Sequence, residues 1–514
     1  MFYSIMFPTE EQHASPRRTE SPDCFKDLNL NRIFDPVLKG IAEFSLETFF
    51  YTPLRDPVII AWRQDIMRDL ENDGLRALLA DFSETVYDVG KYMDIVRSAL
   101  SAGDKRNNNY LTRGHMLDYA DRYCGAVSAL LAGLSGLTPR SDGLLAFSEY
   151  LSEYCAAESH TELCRHVKRL REGFSKVEYC MLIKNGTVRV RGYEGQADHS
   201  AQILACFEKF RQGEVKDYRH ELTESPHAAH VEAAVLNMVA GLYKDIFADL
   251  NAFCSRYFHF DNETVLRFSR ELRFYLSWLD FIAPIRRAGL PFCYPTVCCG
   301  AERLYARDCF DLALARAETG GTVVNDFTLD TPERVIVVTG PNQGGKTTFA
   351  RAFGQIHYLA ALGLCVPGSD AALYLFDNLL THFGRAEDLS SLNGKLQDDL
   401  VRLRALFDRA TGKSIIIVNE IFASTTLSDA LTLGGHMMDK IAALGAVSVV
   451  VTFLDELASH GPEAVSMMST VSEDDTSTRT FKIVRKPPDG LAYALHLAAK
   501  HGLTYKQLCG RLKK

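Results

Sequence analysis

The stretch Thr339-Gly340-Pro341-Asn342-Gln343-Gly344-Gly345-Lys346-Thr347-Thr348 constrains this chain more than any other. An apolar run, Val335 to Val338, precedes it, and a helical pattern opening at Phe349 follows. Strand, glycine-rich loop and helix in that order are what a phosphate-binding P-loop requires. Gly340 and Gly345 let the backbone wrap a phosphate without Cβ clashes, so that N–H groups and the helix N-terminus face the anion. In such a loop Lys346 reaches the β- and γ-phosphates, and the Thr347 hydroxyl ligates Mg²⁺. The stretch therefore implies a nucleoside triphosphate site.

Composition bounds the rest. The chain has 514 residues, 47% hydrophobic and 24% charged, enough for roughly two to four domains with ordinary cores. A net charge of -8 excludes a polycation, so a nucleic-acid partner would need a local basic face. The 13 cysteines form no CxxC pair, and Cys298 and Cys299 are adjacent. That suits neither a disulfide framework nor a zinc site and fits a reducing cytosol. His160, Cys164 and His166 lie close in sequence without an evident fourth ligand, so structural or surface roles are expected for them. No apolar run is long enough for a transmembrane helix. Residues 1–26, with Pro16-Arg17-Arg18-Thr19-Glu20, read as a flexible polar tail without a signal-peptide core.

From about Asp27 to Gly289 the pattern is mainly helical. Ser225-Pro226 starts a helix whose apolar face runs Val231, Val235, Met238, Leu242, Ile246, Leu250. A second stripe, Val265, Phe268, Leu272, Leu276, Leu279, Ile282, stops at Gly289 and Pro291. Both stripes read as packed core. Between Cys180 and Tyr193 a hairpin is expected, with Asn185-Gly186 as its turn. Val188 and Val190 alternate there with Arg189 and Arg191, and Lys184 lies across the turn. These cations suit either a solvated sheet face or contact with phosphate. After Pro295 strands alternate with helices, as in a parallel α/β sheet. Strands are expected at Arg334–Thr339, Ser414–Val418, Val447–Thr452 and Arg479–Val484. Past Pro487-Pro488-Asp489-Gly490, C-terminal helices are expected.

The apolar strand at 415–418 leads into Asn419-Glu420. Ligands in open α/β sheets bind at the carboxyl ends of strands. Glu420 is therefore the candidate to orient or deprotonate an attacking water. Asn419 stands where P-loop proteins usually carry an aspartate beside Mg²⁺. A neutral amide supplies no charge, so weaker metal binding is expected.

These features resemble the ATPase of the DNA mismatch-repair MutS family. Its P-N-x-G-G-K-[ST]-T loop is matched by Pro341 to Thr348, and Tyr358-Leu359-Ala360 with Val366-Pro367 is similar to the helix and exit that follow. Glu387-Asp388-Leu389-Ser390-Ser391 resembles the segment before the family's signature helix. Asn419-Glu420-Ile421 stands where the family has Asp-Glu-Ile, and Thr425 and Asp429 match the next Thr and Asp. Thr52-Pro53-Leu54-Arg55-Asp56-Pro57 through Arg63-Gln64 resembles the start of the core helical domain.

The resemblance implies an ABC-type α/β P-loop ATPase domain at 291–514 with C-terminal dimerisation helices. It also implies a helical core or lever domain at 27–290 with a reduced clamp, its hairpin at about 179–193. It implies ATP and Mg²⁺, a homodimer, and trans contacts from Ser390, Ser391, Asn393 and Gly394. Asp429 joins the ATPase loops, and Phe310 is the candidate to stack on adenine. Three departures stand out: Asn419 for aspartate, Phe453 where the family senses the γ-phosphate with Thr-His, and Ser391-Leu392-Asn393-Gly394-Lys395 for Ser-Gly-Arg-Ser-Thr. Slow ATP turnover is expected. Residues 1–26 are too few for the family's mismatch-reading domain.

The leading expectation is a cytoplasmic, nucleoid-associated ATPase that closes as a dimer around distorted or branched duplex DNA in repair or recombination, with a partner protein. An ATP-switched scaffold for a protein target is the alternative. A small-molecule phosphotransferase is disfavoured, because no second substrate signature accompanies the loop.

Overall fold

Runs of β-branched residues with no polar interruption form strands that are covered on both faces, and three such runs organise the C-terminal half. The computed structural model describes residues 2–101, 110–137, 139–184, 187–196, 226–300, 302–318, 320–384, 394–422, 424–472, 479–488, 503–505 and 508–509. The chain divides into two compact units. One holds residues 1–2, 74–139 and 145–270; the other holds 3–73, 140–144 and 271–514.

The first unit is helical. In Asp73–Ser101 the residues Leu75, Leu79, Phe82, Val86, Val89, Met93 and Val96 are all buried, a stripe at three- and four-residue steps. Tyr110–Leu137 buries Met116, Leu117, Ala120, Tyr123, Cys124 and Val127 in the same way. Helices Asp142–Ala156, Glu158–Phe174, Pro226–Leu242 and Lys244–Arg256 follow. Asn262 starts the next one, its Oδ1 accepting from Val265 N at 3.0 Å and from Tyr150 Oη at 2.9 Å.

The face expected to run unbroken from Val231 to Leu250 is divided at Tyr243, where φ is -115° and ψ 54°. Gly241 weakens the helix just before it, and the Tyr243 hydroxyl donates to the Glu178 carbonyl. Strands β1 (Tyr179–Lys184) and β2 (Thr187–Gly192) pair antiparallel, with Lys184 opposite Thr187. The expected turn Asn185-Gly186 and the Ser225 cap lie outside the described residues.

The second unit carries the remaining strands: β3 (Phe292–Cys293), β4 (Thr296–Cys298), β5 (Arg303–Cys309), β6 (Asn325–Asp330), β7 (Val335–Thr339), β8 (Val366–Pro367), β9 (Asp370–Tyr374), β10 (Leu379–Phe383), β11 (Ile415–Asn419), β12 (Val447–Val451), β13 (Ala464–Val471) and β14 (Arg479–Arg485). The main sheet has the order β10-β11-β12-β7-β13-β14. It is parallel from β10 to β13, with β14 antiparallel at the edge. A smaller sheet has the order β4-β9-β5-β6. β7, β11 and β12 are buried at every residue.

Helix Lys346–Ala361 is buried along nearly its whole length. Its side chains explain why residues 3–73 belong to this unit. Gln355 donates to the Leu28 carbonyl, Arg351 to Asp27, and Tyr358 to Phe50. The N-terminus is accordingly not a free tail. Ile5 and Met6 are fully buried, Ser4 Oγ donates to Glu271 at 2.7 Å, and Thr9 forms a capping box with Gln12. The polar stretch at 16–20 hid the short apolar run Ile5-Met6-Phe7, which needs burial. Of the expected C-terminal helices nearly all lies outside the described residues.

Candidate nucleotide site

The geometry begins at the carboxyl end of β7. There the chain turns through Gly340 at φ +108°. A Cβ on Gly340 would sit 2.9 Å from the Ser469 carbonyl oxygen, and one on Gly344 would sit 2.1 Å from Ser469 Oγ. Ser469, fully buried on neighbouring β13, thus supports the loop from beneath, its hydroxyl donating to Gly344 O at 2.7 Å. Gly345, at φ +90°, is the N-cap of the Lys346–Ala361 helix, and no side chain caps that end. Helix N–H groups left in this way complete themselves on an anion. Pro341 is buried, whereas Asn342 and Gln343 are exposed, Gln343 at φ +60°.

Lys346 is 3% exposed. Its Nζ donates to Gly340 O at 2.9 Å, Pro341 O at 3.1 Å and Asn342 Oδ1 at 3.4 Å, all neutral oxygens. Burial lowers its pKa; the Glu420 and Asp455 carboxylates act the other way, and Arg479 adds to the lowering. A buried cation resting on neutral carbonyls is arranged for an anionic ligand to complete. Thr347 Oγ1 donates to Asn419 Oδ1 at 2.9 Å, joining loop to strand end. Thr348 is half-buried on the first helical turn. Glu420 is exposed at the end of β11, at φ +52°, its N–H bonded to Val451 O at 2.9 Å. Phe422 follows at φ +60°. Two non-glycine residues in the left-handed region so close together store backbone strain of the kind found at functional sites.

Four further residues surround the loop that sequence reasoning passed over. Ser469 is one. Asp455, a few residues beyond β12, was findable from the rule that ligands gather at the carboxyl ends of parallel strands. Phe481, 48% exposed and at φ +58°, lies over Gly345: a Cβ there would be 3.4 Å from the Phe481 carbonyl. Asn325 Nδ2 donates to that carbonyl at 3.3 Å. The sequential distance of 156 residues left no local signal for this pairing.

Comparisons with known proteins reach the same stretch of the chain. The family described as MutS domain V matches residues 336–507, from β7 onward. A DNA mismatch repair protein MutS of Thermosipho melanesiensis is 24% identical over 519 residues, covering 94% of this chain. The chain is thus similar to MutS proteins along most of its length, and its residues 336–507 match a MutS domain. Another MutS relative, from Thermotoga petrophila, is 24% identical over 375 residues, 70% of this chain and 44% of the relative. One from Methanothrix thermoacetophila is 30% identical over 229 residues, 44% of this chain and 27% of the relative. The matched part spans 60% of the Thermosipho protein, so this chain covers less than two thirds of the length of each of these relatives.

The MutS-like positions outside the loop are placed less uniformly. Phe310 is a core residue rather than a base platform: it is 1% exposed and meets Phe292 edge-on at 5.7 Å. The end of β5 turns it inward, and Asp311 beside it caps the Leu312–Ala317 helix. The Asp429 carboxylate accepts from Thr426 at 2.9 Å and Thr425 at 3.3 Å, at the start of helix Leu427–Leu444. Gly394 is the N-cap of helix Lys395–Arg409; Ser390, Ser391 and Asn393 lie outside the described residues. Thr452 is buried, its hydroxyl accepting from Leu454 N at 3.0 Å, while Phe453 is exposed. Lys184, Arg189 and Arg191 are exposed on the hairpin of the first unit. A cavity of about 1150 Å³ in the second unit is lined by Arg17, Arg55, Asp377, Arg402 and Arg409 among others and includes no loop residue. No helix among the described residues is long and apolar enough to cross a membrane.

Proposed function

We propose that this MutS-like chain binds ATP in the Gly340–Thr348 loop, hydrolyses it slowly, and as a homodimer couples the bound state to closure on distorted or branched duplex DNA. The observation that carries the reading is Lys346, buried and held by the Gly340 and Pro341 carbonyls at the open end of an uncapped helix. A triphosphate would take up both the lysine charge and the helix N–H groups.

Thr347 and Asn419 offer a hydroxyl and an amide oxygen side by side, a donor pair that suits Mg²⁺. Bound there, Mg²⁺ would neutralise phosphate charge. Because Asn419 brings no charge, its affinity is lower than an aspartate would give. Glu420 would orient water at the strand end, and the exposed Phe481 would offer adenine a face to stack on. Phe453, without a hydrogen-bond donor, leaves γ-phosphate contact to other groups, which is the basis for slow turnover. Exposed Lys184, Arg189 and Arg191 would contact DNA phosphates. In the homodimer, Gly394 and the signature residues Ser390, Ser391 and Asn393 would complete the partner's nucleotide site.

Lys346→Ala tests the reading. Loss of ATP binding by about a hundredfold or more in equilibrium dialysis is expected. Undiminished affinity in that variant, with the fold intact by circular dichroism, would overturn it. The net charge of -8 favours a second reading, an ATP-switched scaffold for a protein partner. Partners recovered from extract that persist after nuclease treatment would support it.

A further inference from the structure

Three cysteines and a histidine that the nucleotide chemistry does not use come together in the first unit. Cys124 lies on helix Tyr110–Leu137, Cys155 near the end of Asp142–Ala156, and His160 and Cys164 one turn apart on Glu158–Phe174. Spacing of four places the last two on one helix face, and Cys164 Sγ is 3.4 Å from His160 Nε2. Cys124 is the neighbouring thiol that acts most strongly on Cys164, and Cys155 acts on the same imidazole. His166, close in sequence, turns away to Asp249 at 3.1 Å.

A cavity of about 430 Å³ opens beside the group, lined by Cys155, His160, Thr161 and Cys164. It is wide enough for a small oxidant to enter. No group of three such side chains among the described residues is arranged to hold a metal ion. Tyr154 packs on His160 at 4.6 Å between ring centroids, and Asp121 is the charged neighbour of Cys124.

The electrostatics divide the two thiols. The Cys124 thiol holds the Cys164 pKa down, and the His160 imidazole beside it adds to that. Cys124 is pushed up by Cys164 and by burial. Burial alone would lower the His160 pKa, but Cys155 and Cys164 prevail and hold it up at about 9. Cys164 is then the thiolate, and thiolates are the nucleophilic form.

We infer that Cys164 is a hydroperoxide-reactive thiolate resolved by Cys124 into a disulfide that joins helices Tyr110–Leu137 and Glu158–Phe174. The Cys164 thiolate attacks one peroxide oxygen; the sulfur–oxygen bond forms as the oxygen–oxygen bond breaks. The departing hydroxide takes the His160 proton and leaves as water, giving a sulfenic acid. The Cys124 sulfur then attacks Cys164: the sulfur–sulfur bond forms, the sulfur–oxygen bond breaks, and hydroxide leaves as water with the Cys124 proton. Two thiols are oxidised by two electrons and one hydrogen peroxide is reduced to two waters.

The test uses the full chain, reduced and desalted, treated with limiting hydrogen peroxide at pH 7 and digested for mass spectrometry. A Cys124–Cys164 linked peptide is expected. In Cys124→Ser, a dimedone adduct on Cys164 is expected instead, and in Cys164→Ser neither product. Without oxidant, iodoacetamide should label Cys164 about tenfold faster than exposed Cys299. His160→Gln should slow Cys164 and leave Cys299 unchanged, a difference that a merely structural histidine would not give. The inference is overturned if Cys164 reacts no faster than Cys299, if its disulfide partner is another cysteine, or if the purified protein carries stoichiometric zinc that blocks the labelling.

Discussion

At Asn419 an amide oxygen accepts the Thr347 hydroxyl hydrogen at 2.9 Å, in a place where one more carboxylate would add charge without changing shape. Asn419→Asp is therefore expected to tighten Mg²⁺ binding in the ATP-bound protein by about tenfold or more. Titration calorimetry with Mg²⁺ checks this, and an unchanged affinity would show that Asn419 does not face the ion. Phe481 offers a second test. The residue is half exposed with its backbone and Cβ against Gly345, and a base stacked on an aromatic ring gains about 1–3 kcal/mol. Phe481→Ala should weaken ATP by roughly tenfold and leave inorganic triphosphate untouched. Equal losses for both ligands would mean the ring supports the loop and not the base.

Among elements, the Lys346–Ala361 helix joins loop to core, and His357 sits within it, fully buried. Nδ1 donates to the Phe353 carbonyl at 2.7 Å, and the ring packs on Phe353 at 4.3 Å between centroids. Burial pushes its pKa down to about 4, against a smaller upward pull from that carbonyl. Between an ordinary value near 6.5 and about 4 the unfolded chain takes up a proton that the folded chain refuses. Stability is thus fully present above pH 6.5 and falls as the solution is acidified, by up to about 3 kcal/mol. His357→Phe should flatten the urea midpoint between pH 7 and 4.5; a variant as acid-sensitive as its parent would place the loss elsewhere. β7, the loop, β11 and β12 were legible because fully buried strands and a glycine-rich turn leave local patterns. Short strands such as β3 and β8 were not, because they exist only by pairing with each other across the chain. Phe310 misled for a related reason: an aromatic in sequence carries no sign of which side of a strand end it will face. Ser469 and Phe481 left no sign either, since their meaning lies in the distant glycines they touch.

For the molecule as a whole, charge sets the decisive experiment. A chain with net charge -8 is repelled by DNA at long range, so any duplex affinity must come from local cations facing phosphates. Arg189 and Arg191 alternate with valines on exposed β2, while Lys184 ends β1. Each phosphate contact releases counterions, and the slope of log affinity against log salt changes by about 0.9 per contact. If both arginines of the hairpin touch the backbone, Arg189→Gln with Arg191→Gln should make that slope shallower by about 1.8. The remaining preference of junction over plain duplex should be unchanged, because phosphate contacts position without specifying. Fluorescence anisotropy with ATP and Mg²⁺ from about 50 to 200 mM salt measures both quantities at once. An unaltered slope would assign the hairpin to the solvated face that its alternation equally allows, and the search for the DNA surface would move to other cations of the chain.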